Sequence, residues 1–278
     1  MNYRHAYHAG NHTEVFKHAI LVMLLEHLTQ KMQPFMVLDT HAGVGLYDLE
    51  SEQAQRTGEK VDGVEKIYDV GIPSCQRYFD IIKSINPGKL RHYPGSPEIS
   101  RHMLRPTDRL IACELHPDDY LELENRYRFD RRVTVQNRSG YDAINALLPP
   151  VERRGLVFVD PPFEQKDEVQ SMISALKKGL RKWSTGIFCF WYPIKDSKIG
   201  DALADAVVSA QYPKALRIEF LPFKKDGMNL AGSGIIICNT PWKMDEKATL
   251  LCRDIAPKLG DGRGTWSIKW LTEEREPQ

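Results

Sequence analysis

The sequence has few of the features that mark a secreted or membrane-bound protein. Its 278 residues include five cysteines without a Cys-x-x-Cys pair, and no apolar run approaches the length of a membrane span. Cys113, Cys189 and Cys238 lie inside apolar runs, as small core residues do. This pattern favours a reducing cytoplasm over a disulfide framework. The N-terminus is polar and rich in histidine, so a signal peptide is not expected.

The sequence also lacks an excess of charge of either sign. Lysine and arginine number 38 against 37 acidic residues, which gives a formal net charge of +1. Contact with nucleic acid would therefore need a local basic patch. With 42% hydrophobic residues and no internal repeat or linker, the chain is long enough for one large domain or two small ones.

At the end of its first predicted strand the sequence does not have the G-x-G-x-x-G motif of dinucleotide-binding folds. It has a different glycine-containing turn there. A predicted buried strand at 34–39 ends in Asp39, which begins D-x-x-x-G-x-G through Gly45. Glycines permit a tight turn and a close approach of the backbone to a ligand. An acid at a strand end before this turn is moderately specific for the S-adenosylmethionine loop of Rossmann-like methyltransferases. We interpret His41, within the turn, as a ligand contact in preference to a simple turn residue.

A second strand, 155–159, is followed by Asp160-Pro161-Pro162-Phe163. Asp160 should lie at the carboxyl end of that strand, where open α/β sheets bind ligands. The two prolines have no backbone N–H, and an ionised carboxylate only accepts hydrogen bonds. Acceptors beside the flat face of Phe163 suit a planar group that carries NH₂, such as the exocyclic amine of a base. The alternative is a turn that merely ends a strand.

Two further positions, Glu114 and Ser96, extend the candidate ligand site. Glu114 ends the predicted strand 109–115, where an acid commonly holds ribose hydroxyls. A third strand, 132–136, ends near the pair Ser139-Gly140. Ser96 is predicted to cap a helix with Pro97 at its first position, and the free N–H groups there could face a carboxylate.

The remaining pattern predicts an α/β fold. It indicates a Rossmann-like methyltransferase sheet, mostly parallel with an antiparallel strand near the C-terminus, and a small helical subdomain at 47–93 inserted in a domain of 1–278. Two late strands, 215–221 and 234–239, form the antiparallel pair, and 266–270 forms an extra edge strand. Predicted helices cover about 14–31, 117–128, 141–148, 167–182 and 196–210. The basic end of the helix 167–182 is better explained as a solvated face than as an RNA patch.

Histidine is concentrated at the N-terminus, where four of the nine occur before the middle of the first helix. A metal site is disfavoured, because no cysteine or dense carboxylate cluster accompanies these histidines. Two alternatives remain, a loop with local hydrogen bonds and a lid over the substrate. Thr13 is predicted to cap the helix that begins near Glu14.

Taken together, the motifs resemble the 23S ribosomal RNA adenine-N6 methyltransferase J family of bacteria. The matching blocks span nearly the whole chain, and the His-Ala-Gly-Asn-His and Asp-Thr-His-Ala-Gly blocks are the most specific. The blocks begin at Tyr3, His8, Lys17, Leu38, Tyr93, Glu114, Arg153, Asp160, Trp191 and Pro241.

The resemblance implies a set of site residues. It implies S-adenosylmethionine contacts at His18, His41, Ser96, Glu114, Ser139, Gly140 and Asp160. It further implies that Asp160 is the catalytic acceptor, and that Tyr3, His5 and Lys17 lie on the substrate side. The flat ring of Phe163 is expected to serve as a platform for the base. Ser139 stands where the family usually has aspartate, and Phe163 stands where tyrosine is common.

The expected substrate is the N6 amine of one adenine in 23S ribosomal RNA, free or partly assembled, with no metal and no membrane involved. A monomeric, cytoplasmic enzyme is expected. A DNA adenine, a protein glutamine amide and a non-catalytic RNA-binding scaffold are the alternatives. The glutamine enzymes usually carry Asn before Pro-Pro-Tyr, so Asp160 favours adenine. Residues 1–12 are predicted to form a mobile flap over the bound adenosine.

Overall fold

An eight-stranded sheet forms the centre of the protein. A computed structural model describes residues 7–260 and 262–273. The strands are β1 (Met36–Asp39), β2 (Leu46–Asp48), β3 (His92–Pro94), β4 (Arg109–Cys113), β5 (Val133–Gln136), β6 (Gly155–Val159), β7 (Ile187–Ile194), β8 (Ala215–Leu221), β9 (Gly232–Cys238) and β10 (Thr265–Thr272). The central sheet has the order β10-β8-β9-β7-β6-β1-β4-β5.

The direction of the strands places the candidate motifs at one edge. β5, β4, β1, β6 and β7 are parallel, so their carboxyl ends lie together. Asp39 ends β1, and Glu114 and Asp160 directly follow β4 and β6. β9 is antiparallel to both β7 and β8, and β10 pairs antiparallel with β8. The predicted fold class and the extra edge strand are therefore confirmed.

Helices cover both faces of the sheet. They are α1 (His12–Thr29), α2 (Glu52–Thr57), α3 (Val64–Ile67), α4 (Gln76–Ile85), α5 (Ser96–Met103), α6 (Pro117–Tyr127), α7 (Gly140–Leu147), α8 (Glu168–Lys182), α9 (Lys198–Ser209) and α10 (Met244–Leu259). One hydrophobic core contains α1, α10 and the 47–93 segment, and the other contains α7, α8 and α9. No helix in the described part of the chain is long and apolar enough to span a membrane.

The first helix is buried on all sides over most of its length. Its predicted start was wrong, because Asn11, rather than Thr13, is the cap. The Asn11 side chain accepts hydrogen bonds from the backbone N–H groups of Thr13 and Glu14, at 3.0 and 2.9 Å. Burial of the whole helix surface also encloses two charged side chains, Glu14 and Lys17. Both lie in its first two turns, beside the carboxyl edge of the sheet.

The segment between β2 and β3 holds α2, α3, α4 and two short 3-10 helices, Glu59–Asp62 and Pro73–Cys75. All of 47–93 is described, and no part of it joins the eight-stranded sheet. β2 and β3 form their own antiparallel ribbon, which the sequence did not reveal. The segment packs against α1, and its Val64 N–H donates to the Gly10 carbonyl at 2.8 Å. We propose to treat 47–93 as an inserted subdomain.

Candidate active site

A cavity of about 490 Å³ opens at the carboxyl edge of the parallel strands. Residues from α1 and from the ends of β1, β4 and β6 line it. Every described residue that the sequence assigned to the site is among them, namely Lys17, His18, His41, Ser96, Glu114, Ser139, Gly140, Asp160 and Phe163. Tyr3 and His5 lie outside the described residues.

A buried cation joins two carboxylates in this cavity. Lys17 Nζ donates a hydrogen bond to Asp160 Oδ2 and forms an ion pair with Glu14 Oε1. The Lys17 side chain is only 2% exposed. Burial alone would lower the pKa of Lys17, but the charges of Asp160 and Glu14 outweigh it and raise this pKa above its ordinary value. Lys17 therefore stays protonated and fixes one oxygen of Asp160.

Two aromatic rings stand beside this ion pair. The Phe163 ring meets the Trp191 ring edge-on, with centroids 5.9 Å apart, and Lys17 Nζ lies 5.2 Å from the centroid of the Trp191 ring. Phe163 has a φ of +53°, which is uncommon for a bulky residue. The indole N–H of Trp191 is buried and has no hydrogen-bond partner among the described residues. Sequence reasoning did not assign Trp191 to the site, although it occurs near the carboxyl end of the strand beside β6.

The protonation of His41 follows from its neighbour. The Thr40 hydroxyl lies 3.0 Å from the Phe158 carbonyl, to which it must donate its only proton, and 2.8 Å from His41 Nδ1. Nδ1 therefore carries the imidazole proton, and Nε2 is left as an acceptor. Burial lowers the pKa of His41 to about 4, so the ring is neutral at physiological pH. Tyr141 packs against it edge-on at 5.3 Å.

Glu114 is fixed by the backbone around it. Its Oε2 accepts from the Gly43 N–H at 2.9 Å and its Oε1 accepts from the His116 N–H at 2.7 Å. Gly43 has a φ of +59°, and a Cβ there would collide with the Tyr47 hydroxyl, so the turn requires glycine. Burial raises the pKa of Glu114. The carboxylate keeps further lone pairs for hydroxyl donors of a ligand.

Comparison with known proteins gives the family. A family model described as ribosomal RNA large subunit methyltransferase D, RlmJ, matches residues 32–272. The ribosomal RNA large subunit methyltransferases J of Escherichia coli and Haemophilus influenzae are 38% and 37% identical to the chain. Each match covers 99% of this chain and 100% of the relative. The chain belongs to the RlmJ family. The resemblance drawn from the motifs is thereby confirmed.

A solved structure agrees with this RlmJ assignment. A crystal structure of a Legionella pneumophila protein, 34% identical in sequence, superposes with a TM-score of 0.88. The alignment covers 95% of this chain and 98% of that chain. The fold described above is therefore matched over nearly the whole chain.

In this RlmJ chain, the 47–93 segment holds residues on two sides of the cavity. His18 Nδ1 lies 2.9 Å from the Tyr93 hydroxyl, which lies 2.9 Å from the Tyr78 hydroxyl of α4. At the entrance, Glu59 accepts from the Asn11 side chain at 2.8 Å and lies 2.9 Å from His8 Nδ1. The hydrogen bond to Glu59 raises the pKa of His8.

These contacts correct part of the predicted flap. Residues 8–12 are tied to the 47–93 segment or begin α1, so the flap expected over 1–12 does not include them. The local hydrogen bonds of His8 agree with the alternative of a loop with hydrogen-bonded imidazoles. The described residues contain no group of three metal-binding side chains.

Ser96 lines the cavity, and Asp39 is buried at the end of β1. The cap of α5 is Gly95, and Ser96 makes no capping bond, so its predicted capping role was wrong. Instead, the hydroxyl of Ser96 favours the charged form of Asp39. Burial has the larger effect and raises the pKa of Asp39 to about 7. Neither Asp39 oxygen has a hydrogen bond of normal geometry within the described residues.

Proposed function

We propose that this protein transfers a methyl group from S-adenosylmethionine to the N6 amine of one adenine in 23S ribosomal RNA. The observation that carries the proposal is Asp160, held by Lys17 at the carboxyl end of β6 and followed by two prolines in the same cavity. This arrangement offers hydrogen-bond acceptors to an amine. Family membership supports the class of substrate, since the E. coli and H. influenzae relatives are named large subunit methyltransferases.

The residues around the cavity fit the proposed methyl donor. Glu114 would accept from its ribose hydroxyls, and the neutral Nε2 of His41 is an acceptor for a donor group. Ser139 makes no capping bond, so its hydroxyl can accept where the family usually has aspartate. When bound, S-adenosylmethionine supplies a methyl group on a positively charged sulfur.

The chemistry of the acceptor side follows from Asp160 and the prolines. The lone pair of the N6 amine is delocalised into the adenine ring, so the amine is a poor nucleophile. Hydrogen bonds from its two hydrogens to the Asp160 carboxylate and the Pro161 carbonyl would favour a tetrahedral nitrogen with an available lone pair. Positioning and electrostatics would supply most of the rate. Asp160 or water takes the released proton, because Lys17 is already protonated.

The base must leave its stack to reach this cavity. Phe163 and Trp191 provide aromatic surfaces beside Asp160 for an extruded base. Loops and bulges of RNA supply such bases most readily. Free or partly assembled RNA is therefore the proposed substrate. We propose a monomeric enzyme that acts in the cytoplasm.

The test is methylation of transcribed 23S RNA followed by nuclease digestion and mass spectrometry of the nucleosides. We expect N6-methyladenosine with wild-type protein, and a loss of at least about 100-fold with Asp160→Asn. Ribosomal RNA from cells with and without the gene should differ by the same modification. Assembled large subunits should be poorer substrates than free RNA. Methylation of a DNA adenine or a glutamine amide in place of RNA would overturn the assignment.

A further inference from the structure

Two loops lie beside the cavity and have no part in the proposed chemistry. One connects β7 to α9 and carries Lys195, and the other, 222–231, connects β8 to β9. Because β9 is antiparallel to β7, it begins at the edge where β7 ends, which is the edge that holds Asp160. The Ala231 N–H donates to the Ile194 carbonyl at 2.9 Å and joins the two loops. Lys195 and Leu230 line the cavity.

The 222–231 loop has a defined shape. The Asp226 carboxylate accepts from the backbone N–H groups of Met228 and Asn229, at 2.9 and 2.7 Å, around a left-handed Gly227. At its base, the Phe223 ring packs edge-on against the His12 ring of α1, with centroids 5.0 Å apart. The loop is thus fixed to the helix that carries Lys17.

The loop pair presents three exposed lysines. Lys195, Lys224 and Lys225 are exposed, and none of them forms an ion pair within residues 7–260 and 262–273. Lys225 acts at longer range on Asp201, which is already paired with Arg217. Some cations elsewhere are neutralised locally, as Arg132 is by Asp130. Lys195 lines the cavity, and Lys224 and Lys225 lie in the adjoining loop. Lysines in this arrangement suit a chain of phosphates.

We propose that Lys195, Lys224 and Lys225 bind the phosphate backbone of the RNA strand next to the base that enters the cavity. This inference rests on the proposed function. Phe223 is 37% exposed and Met228 is 76% exposed, so both leave apolar surface for a base that flanks the target. The surface is sequence-independent and would set the position of the strand, whereas Asp160 and its neighbours select the amine.

The test compares two triple variants of the full chain with equal changes in charge. One is Lys195→Ala, Lys224→Ala and Lys225→Ala. Its control is Lys177→Ala, Lys178→Ala and Lys182→Ala, three exposed lysines of α8. For the first variant we expect the KM for RNA to rise about tenfold or more. The slope of the logarithm of the RNA-binding constant against the logarithm of salt concentration should become shallower by about two, since each single-strand contact contributes about 0.7. The α8 variant should keep the wild-type KM and salt slope.

Binding of fluorescent RNA by anisotropy needs no methyl transfer, so it separates this inference from the proposed function. If wild-type protein binds RNA with the expected salt slope but transfers no methyl group, the proposed function fails while the surface is supported. The inference is wrong if the loop variant has the wild-type KM and slope. It is equally wrong if the α8 variant loses as much, because net charge would then be the cause. Circular dichroism melts verify that both variants fold.

Discussion

At the residue scale, the Lys17 ammonium lies between the carboxylates of Glu14 and Asp160. Replacement by methionine keeps the apolar stem and removes the charge, which leaves two carboxylates facing each other in a nearly dry site. We expect Lys17→Met to lower the free energy of unfolding by about 3–5 kcal/mol. Urea denaturation measures this difference.

Two further variants separate charge from shape. Lys17→Arg retains a cation and should lose less stability than Lys17→Met. The double variant Glu14→Gln, Lys17→Met carries one carboxylate fewer and should recover part of the loss. Equal stability of wild type and Lys17→Met would show that the ion pair adds nothing to the fold.

Glu114 provides a second prediction at this scale. Its replacement by alanine removes the proposed ribose acceptor and releases the Gly43 and His116 N–H groups. S-adenosylmethionine binding should weaken by roughly 1.5–3 kcal/mol, the value of a hydrogen bond to a charged group. Calorimetric titration measures it, with the exposed Glu124→Ala as control. Unchanged affinity in Glu114→Ala would remove Glu114 from the proposed cofactor site.

Single residues of the site were predictable where a local signal existed. Asp160 and Glu114 each follow an apolar run, and parallel strands bring such positions to one edge. Glu14 and Glu59 gave no comparable signal, because their roles depend on which distant elements pack together. Ser96 and Thr13 were predicted as caps from residue type, but Gly95 and Asn11 hold those positions.

At the scale of elements, the 47–93 segment fixes the position of the residues that precede α1. A Cβ at Gly63 would overlap the Gly10 carbonyl oxygen and the Asn11 backbone. We expect Gly63→Ala to displace residues 8–11 and to reduce the rate of methyl transfer severely, with little change in S-adenosylmethionine affinity. Gly88→Ala, in the same segment, meets no atom within 4 Å and is the matched control. Equal activity of the two variants would contradict a role for this contact.

The N-terminal residues that the structure does not describe offer a related prediction. Deletion of residues 1–6 removes Tyr3 and His5, which the family resemblance assigns to the substrate side. The contacts of His8 and Asn11 with Glu59 are retained. Binding of S-adenosylmethionine should persist while methyl transfer to RNA falls severely, because a segment that completes the site affects turnover more than cofactor affinity. A truncated protein with full activity would show that these residues are dispensable.

Helices and strands were predicted best where the hydrophobic pattern extended over many residues. The parallel strands and α6 to α9 fall close to their expected positions. α10 was not predicted, and its Pro257 lies inside the final turns of the helix. The β2–β3 ribbon has only three residues in each strand, which is too short for an alternating pattern to be recognised.

At the scale of the whole molecule, the burial of Asp39 makes stability depend on pH. Its ordinary pKa of 3.8 rises to about 7 in the folded protein. Between these values the folded state keeps a proton that the unfolded state releases. The resulting stability is fully present below about pH 4 and is lost as the pH rises through 7. His12 and His41, whose pKa values are lowered to about 4, act in the opposite direction.

A comparison of wild type with Asp39→Asn isolates this contribution to the pH dependence of stability, because the other titratable groups are the same in both proteins. From pH 5 to pH 8, the variant should gain roughly 2–3 kcal/mol in free energy of unfolding relative to wild type. Urea denaturation at both values measures the gain, with exposed Asp205→Asn as control. A difference that does not change with pH would mean that Asp39 is ionised in the fold at pH 5.

The ribbon of β2 and β3 has a consequence for how the chain tolerates rearrangement. Asp48 and His92 are paired across it, so the chain leaves and re-enters the domain at adjacent points. Loop-closure entropy grows slowly with length, so a long excursion between adjacent points costs little. A short turn could therefore reconnect the ribbon without strain. Such a deletion would still uncover the face of α1 that Val64, Ile67 and Tyr78 help to bury. The 47–93 segment could thus be bypassed in the connectivity of the chain, but the hydrophobic core depends on it. We therefore expect new chain termini opened within 47–93 to be tolerated better than removal of the segment.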